Sequence, residues 1–299
     1  MRVLLIGGSG QLGKDILDFL MKKHQFWAPS RETIDVTMPQ DKIMGEITTF
    51  HPDVIINCAA MHDLEKCEDN PGEAFNINAL GQMKVAKAAK AVDATMIFIS
   101  TNCVFDGTVR ADETTAPNPI SAYGASKLAG EHFTQMFCAK PYIIRTSGLF
   151  GKHAPSGKPN GNFVDAVMKK LQSGEDFNAK TFESINPTYT SALAALIVNG
   201  FVDPAASKPK KRVSYGVYHL VGAHTVNWYE YSLIIAGMAG LDMNKIKPVM
   251  KYTGDKPNIR PRIGAIGSLF FSNKALDLSL CLRMYLSEKY GIGEKDGRS

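Results

Sequence analysis

No apolar run in the 299-residue chain approaches the roughly 18 residues of a membrane-crossing helix, which argues against a membrane protein. The opening stretch Met1 to Ile6 is too short for the apolar core of a secretory signal. Cysteine is sparse: the five residues Cys58, Cys67, Cys103, Cys138 and Cys281 are scattered, form no C-x-x-C pair and have no histidine at ligand spacing. That excludes a disulfide scaffold and a sequence-encoded zinc site, so no metal is expected and reduced thiols are. A dense basic face is also missing, since 34 Lys and Arg exceed 29 Asp and Glu by only five. The excess suits anionic small molecules and is too mild for a nucleic-acid binder. There are no internal repeats and no long low-complexity segments. A soluble, cytoplasmic protein is expected, long enough for one large or two modest domains.

Glycine is abundant where it counts. In Leu4 to Lys14, "LLIGGSGQLGK", an apolar run ends in four glycines and passes into Asp15 to Leu20, whose apolar residues recur at helical spacing. Strand, tight turn and helix in that order form a phosphate-binding arrangement. Glycine permits φ > 0 and close backbone approach, and the first helical turn offers free N–H groups at the positive dipole end. The spacing fits G-x-G-x-x-G on Gly8, Gly10 and Gly13, or G-x-x-G-x-x-G on Gly7, Gly10 and Gly13, and sequence leaves both open. The ligand of such a turn is a dinucleotide.

The alternation continues. Strands are expected at Gln25 to Pro29, Val54 to Asn57, Thr95 to Ser100 and Tyr142 to Arg145, with helices at Pro39 to Phe50, Ala74 to Ala91 and Ala122 to Lys140. This βαβ series predicts an α/β fold: a doubly wound, Rossmann-like parallel sheet over residues 1–150, with ligands at the carboxyl ends of its strands. Residues 151–299 form a smaller C-terminal substrate-binding domain, with segments near 187–199 and 214–225 returning to the main domain. A helix around Ala192 to Val198 and a strand at Tyr215 to Leu220 belong to those segments. His153 to Gly161 reads as a flexible loop, Ser207 to Arg212 ("SKPKKR") as a solvated loop, and Gly291 to Ser299 as a disordered tail.

A second constellation is Tyr123 to Lys127, "YGASK", at the start of a helix. Positions i and i+4 share a helix face, and a lysine ammonium beside a phenol lowers its pKa from about 10 and makes it a usable acid or base. Thr101, at the end of the strand before it, could hydrogen-bond a substrate carbonyl.

With these motifs the chain resembles the dTDP-4-dehydrorhamnose reductases of the extended short-chain dehydrogenase/reductase family. The resemblance covers most of the chain. It rests on "GGSGQLG" (7–13), "HPDVIINCAA" (51–60), "STNCVFDG" (100–107), "PNPISAYGASKLAGE" (117–131) and "IIRTSGLFG" (143–151), with weaker echoes at "GNF" (161–163) and "NPTYT" (186–190). It implies hydride transfer from a nicotinamide cofactor to the C4 carbonyl of a nucleotide-linked keto-sugar. Tyr123 would supply the proton, Lys127 would bind the nicotinamide ribose and hold down the tyrosine pKa, and Thr101 would steer the carbonyl. By the same matching Gly10, Gln11 and Leu12 lie along the pyrophosphate, Asp35 and Val36 by the adenine, and Ala59, Ala60 and Met61 along the cofactor's path. Possible homodimers belong to the same expectation.

Cofactor choice has a physical basis. An acidic residue after the second strand suits the ribose 2′-OH of NADH, whereas arginine suits the 2′-phosphate of NADPH. Ser30 and Arg31 stand there, with Glu32 adjacent, so NADPH is expected and NADH allowed. The chain also departs from the family. Asn102 and Cys103 follow Thr101 where Asp and Tyr are common, and Gly148 stands where a tryptophan often meets the substrate. Asn102 and Gly148 remain substrate-side positions, and Arg260 of "RPR" matches the family in offering a guanidinium for the diphosphate. Dehydration, which needs an acid and a base at 102 and 103, is disfavoured. A nucleotide-sugar epimerase and a non-catalytic NADP-binding regulatory subunit stay open as alternatives.

Overall fold

A computed structural model describes residues 1–154, 161–203, 213–252, 259–271 and 276–293. The first half alternates strand and helix: β1 (Arg2–Ile6), α1 (Gln11–Leu20), β2 (Gln25–Trp27), α2 (Gln40–Phe50), β3 (Val54–Asn57), α3 (Leu64–Asp69), α4 (Pro71–Phe75), α5 (Gln82–Ala91), β4 (Thr95–Thr101), α6 (Ala122–Phe137) and β5 (Pro141–Thr146). Then come β6 (Leu149–Phe150), α7 (Phe163–Gln172), β7 (Phe177–Lys180), β8 (Ser184–Ile185), β9 (Thr188–Tyr189), α8 (Thr190–Ile197), β10 (Gly216–His219), β11 (Val226–Asn227), α9 (Trp228–Ala239), β12 (Ile246–Val249) and α10 (Leu278–Tyr290).

A six-stranded, all-parallel sheet has the order β10-β5-β4-β3-β1-β2. The chain leaves β1 toward β2 on one side and returns to β3 on the other, so the winding reverses beside β1. A crevice opens at the carboxyl ends of the strands at such a reversal. Strand periodicity splits the core. Val3 and Leu5 face a layer containing Ile16 of α1 and Leu193 and Ile197 of α8, while Leu4 and Ile6 face Ile43 and Ile47 of α2 and Val85 of α5. Both faces are covered, which explains why these strands are apolar throughout rather than alternating. A separate apolar cluster, with Val167, Tyr231, Ile235 and Leu282, joins α7, α9 and α10 to the short pairs β7–β12 and β8–β11.

Two expected boundaries shift for identifiable reasons. The stretch read as one helix from Ala74 to Ala91 is α4, a π-helical segment Asn76–Gly81, and α5. The wider turn directs Asn78 and Gln82 into the protein, where both are buried. The helix beginning at Ala122 stops at Phe137, because Cys138 leaves the helical region and leads into β5. Segments 155–160, 204–212 and 272–275, residues 253–258 and 294–299 lie outside the described residues, including most of the expected 153–161 loop, the Ser207 to Arg212 loop and most of the expected tail. Among the described residues no helix is long and apolar enough to cross a membrane.

Candidate functional site

The amino-terminal turn is shaped for close approach. Gly7 has φ of 79°, and a Cβ there would lie 2.7 Å from the Ala59 nitrogen. A Cβ on Gly13 would lie 2.3 Å from the Gly7 oxygen, so helix and turn touch only because both residues are glycine. Gly8 lacks this constraint: its added Cβ would meet the Ala28 methyl at 3.0 Å, and its φ is not in the left-handed region. The spacing left open by the sequence therefore resolves onto Gly7, Gly10 and Gly13. Gly10 is the N-cap of α1 and supplies no side-chain cap, and no acid lies in the first turn. Gln11 is buried with its Nε2 unpartnered. An uncapped helix start beside an orphaned amide donor fits a pyrophosphate.

Further along the crevice, Ser30, Arg31 and Glu32 are exposed after β2. Ser30 closes the turn by accepting from the Thr33 and Ile34 nitrogens at 3.1 and 3.0 Å. Burial pushes the Asp35 carboxyl up, but hydrogen bonds from the Thr37 backbone and hydroxyl outweigh it and hold the group below the usual range. Val36 is buried against Gly81. Ala59, Ala60 and Met61 follow β3 and are half-buried.

Two asparagines that the sequence motifs did not mark hold that loop. Asn57 Oδ1 accepts from the Ala59 nitrogen at 2.9 Å, and its Nδ2 donates to Gln82 at 2.7 Å. Asn78 grips both sides of Met61, accepting from its nitrogen and donating to its oxygen at 2.9 Å each, and also donates to Ser126 of α6 at 3.0 Å. The cofactor-side loop and the helix carrying Tyr123 are thus tied by one amide. The only hint for Asn78 in the sequence is that it is one of three polar residues, with Asn76 and Gln82, in an otherwise Ala- and Lys-rich stretch.

The YGASK segment opens α6, whose N-cap Ser121 accepts from the Gly124 nitrogen at 3.1 Å, while Glu68 accepts from the Ala122 nitrogen at 2.6 Å. A Cβ on Gly124 would lie 2.1 Å from the Cys103 oxygen, so the helix start is pressed against the end of β4. Tyr123 thereby comes close enough to Thr101 for the threonine hydroxyl to act on its phenol. The expected lowering of the Tyr123 pKa does not occur in this structure. Burial pushes the phenol up, with the neighbouring Cys103 and Cys67 adding to it, while the Thr101 hydrogen bond and the Arg260 charge pull only weakly the other way. Lys127 is not among the larger influences, and its Nζ lies against β4. It donates to the Ile99 oxygen at 2.6 Å and sits 4.0 Å from the centre of the Phe98 ring. The phenol is held in its protonated, donor form.

Lys127 is 2 % exposed, and burial lowers its pKa to about 7, with Glu131 opposing. The unfolded chain, titrating near 10.5, then holds more protons than the folded one across that interval, so this group makes stability rise with pH from about 7 to 10.5. Below about 7 both states carry the proton and the slope disappears. Denaturant midpoints at several pH values should show Lys127→Met losing this rise. A wild-type-minus-variant difference that stays constant with pH would contradict it.

The two residues that follow Thr101, Asn102 and Cys103, line a cavity together with Gly148, Glu183, Trp228 and Arg260. Arg260 reaches it because the following Pro261 and Arg262 pack on Gly107, where a Cβ would lie 2.6 Å from the Arg262 nitrogen. Asn102 lines the cavity, yet its Nδ2 is committed to the Gly264 oxygen at 2.7 Å. Gly148 has φ of 57° and an added Cβ would lie 2.7 Å from the Asn186 oxygen, so the backbone itself excludes an aromatic side chain here. Asp15, Asp18 and His153 also bring three potential ligand atoms within 4.8 Å of one another. Sequence spacing gave no sign of that cluster, since His153 arrives from beyond β6.

Comparison with known proteins agrees with this geometry. The family model described as the RmlD substrate binding domain matches residues 1–270. The chain is 32 % identical to the dTDP-4-dehydrorhamnose reductase of Escherichia coli (strain K12) over 271 residues, 87 % of each chain. It is 30 % identical to that of Mycolicibacterium smegmatis over 279 residues, 89 % of this chain and 78 % of the relative. The crystal structure of the dTDP-4-dehydrorhamnose reductase of Bacillus anthracis str. Ames in complex with NADP superposes with a TM-score of 0.86 at 28 % identity, covering 96 % of this chain and 99 % of that one. The UDP-glucose 4-epimerase of Thermus thermophilus, at a TM-score of 0.69 and 20 % identity over 100 % of this chain and 95 % of that one, shares the fold alone. A glycine turn built for a dinucleotide, a tyrosine on a strand-end threonine and a match over nine-tenths of the sequence converge: the chain belongs to the dTDP-4-dehydrorhamnose reductase family.

Proposed function

We propose that this protein reduces the C4 carbonyl of a nucleotide-linked keto-sugar with NADPH, converting dTDP-4-dehydrorhamnose to dTDP-L-rhamnose. The observation that carries the reading is Tyr123 beside Thr101, the strand-end residue whose chain neighbours Asn102 and Cys103 line a cavity together with Arg260. When bound, the nicotinamide supplies the hydride. Tyr123 gives its phenolic proton to the carbonyl oxygen as negative charge builds there, and Thr101 holds that oxygen by hydrogen bonding. Lys127 binds the nicotinamide ribose. Gln11 and the free N–H groups at the start of α1 bind the pyrophosphate, and Arg260 takes the substrate's diphosphate. Loss of reduced-nicotinamide absorbance on adding dTDP-4-dehydrorhamnose tests the reading. No turnover with any nucleotide keto-sugar would favour the regulatory-subunit alternative, and a tightly retained cofactor with net epimerisation would favour the other. A cytoplasmic location, a homodimer and the absence of a nucleic-acid partner belong to the same reading.

NADPH preference should depend on Arg31, whose exposed guanidinium stands where a 2′-phosphate would be read. Arg31→Ala is expected to lower kcat/KM for NADPH by roughly tenfold, about the 1.4 kcal/mol of one charge-assisted contact, and to leave NADH nearly unaffected. Equal losses with both cofactors would remove Arg31 from that role.

A further inference from the structure

The substrate-side cavity contains a carboxylate and an indole that the family motifs did not mark. Glu183 is 2 % exposed, and it is a charged group in a cavity wall. Its Oε1 accepts from Lys180 Nζ at 2.6 Å and its Oε2 from Trp228 Nε1 at 3.2 Å. The arrangement is built by backbone pairing: β8 and β11 run antiparallel with Ser184 opposite Asn227, which places Glu183 and Trp228 side by side at the end of the ladder. Trp228 is fixed further as the first residue of α9. Asn227 and Glu230 close a capping box around it, and the Phe163 ring packs 4.5 Å from its own.

We infer that Glu183 and Trp228 form the sugar-recognition wall of this cavity, Glu183 accepting hydrogen bonds from ring hydroxyls and Trp228 covering an apolar face of the sugar. The inference rests on the reductase reading for the identity of the ligand, a nucleotide-linked deoxysugar. Three features of the cavity carry it. First, the two other places where such groups would be sought offer less: a side chain at Gly148 would meet the Asn186 oxygen, and the Asn102 Nδ2 already donates to Gly264. Second, a carboxylate has about four acceptor positions, and the two contacts described leave room for hydroxyl donors. Third, burying a carboxylate carries a steep desolvation cost, which an i,i+3 pair with a partly exposed lysine does not by itself require. Glu183 and Arg260 line the same cavity, which brings an acceptor and a guanidinium to one space. Such a cavity takes a hydroxylated ring at one end and a diphosphate at the other.

Calorimetric titration of the NADP-loaded protein with dTDP-L-rhamnose and with dTDP tests this directly. Wild type should bind the sugar nucleotide more tightly than dTDP. Glu183→Gln, which keeps size and an acceptor for the indole, should weaken dTDP-L-rhamnose binding by about tenfold, the scale of one charge-assisted hydrogen bond. Its affinity for dTDP should hold or rise. Trp228→Ala should lose sugar preference likewise, and it keeps the idea testable if the Gln variant folds poorly. Proper folding of each variant is read from its thermal transition. A merely structural Glu183 would lower that transition and leave the ratio of the two dissociation constants at the wild-type value, and that unchanged ratio would overturn the inference, as would a wild type with no preference for the sugar. The outcome is separable from catalysis. Glu183-dependent sugar binding without NADPH oxidation would refute the reductase reading alone, whereas turnover with a Glu183-independent ratio would refute only this one.

Discussion

Tyr123→Phe is expected to lower kcat by about 100- to 10,000-fold, the usual range for removing a positioned proton donor. NADPH affinity should change little. The variant deletes one oxygen from a half-buried ring and leaves Lys127 on the Ile99 carbonyl and Gly7, Gly10 and Gln11 in place. Because burial raises the phenol above its ordinary value, Tyr123 is protonated throughout the neutral range, which suits an acid in the reducing direction. The wild-type reduction rate should therefore stay level there rather than fall as the donor ionises. Stopped-flow measurement of NADPH oxidation, with cofactor affinity from fluorescence titration, separates the two quantities. A variant with unimpaired turnover would take Tyr123 out of the mechanism.

The largest expected effect on stability lies further along the helix that carries Tyr123. Arg145 of β5 and Glu131 of α6 are 4 % and 2 % exposed, and they pair in fork geometry at 3.0 and 2.6 Å. Ser100 donates to the same carboxylate, and the guanidinium lies 5.0 Å from the centre of the Phe105 ring. Arg145→Met would leave Glu131 buried without its cation, at a cost of roughly 3–5 kcal/mol. That is a large share of the about 5–15 kcal/mol that holds a typical domain folded. The double variant Glu131→Leu/Arg145→Met should recover most of the loss, since two apolar groups need no compensation. Denaturant unfolding of the three proteins measures it. A single variant as stable as wild type would mean that the pair is solvated in a way its burial does not suggest.

What could be read from sequence was local. The strand, glycine turn and helix at the amino terminus, and the alternating elements through β5, are written in contiguous residues whose periodicity and turn chemistry agree. Thr101, Tyr123 and Arg260 could be named because each sits in a short motif. Asn78 could not: it becomes an internal clamp only because a π-helical turn rotates it inward, and helical periodicity assigns it no such face. The Tyr123 pKa was misjudged for a related reason. Spacing of four put Lys127 on the same helix face, but not where its amine would find a closer acceptor, the Ile99 carbonyl. Glu183 and Trp228 are 45 positions apart and meet only through a two-residue ladder, which no local pattern announces. The missing tryptophan at 148 was visible as a departure. Its cause, a left-handed glycine against the Asn186 carbonyl, needed three dimensions.

The cavity's two sides are held by separate hydrogen-bonded units: Asn102 and Cys103 follow directly on a strand of the six-stranded sheet, whereas Glu183 and Trp228 flank the β8–β11 ladder. A substitution confined to that ladder would therefore reshape the Glu183–Trp228 side of the cavity without breaking a hydrogen bond of the sheet that carries Thr101.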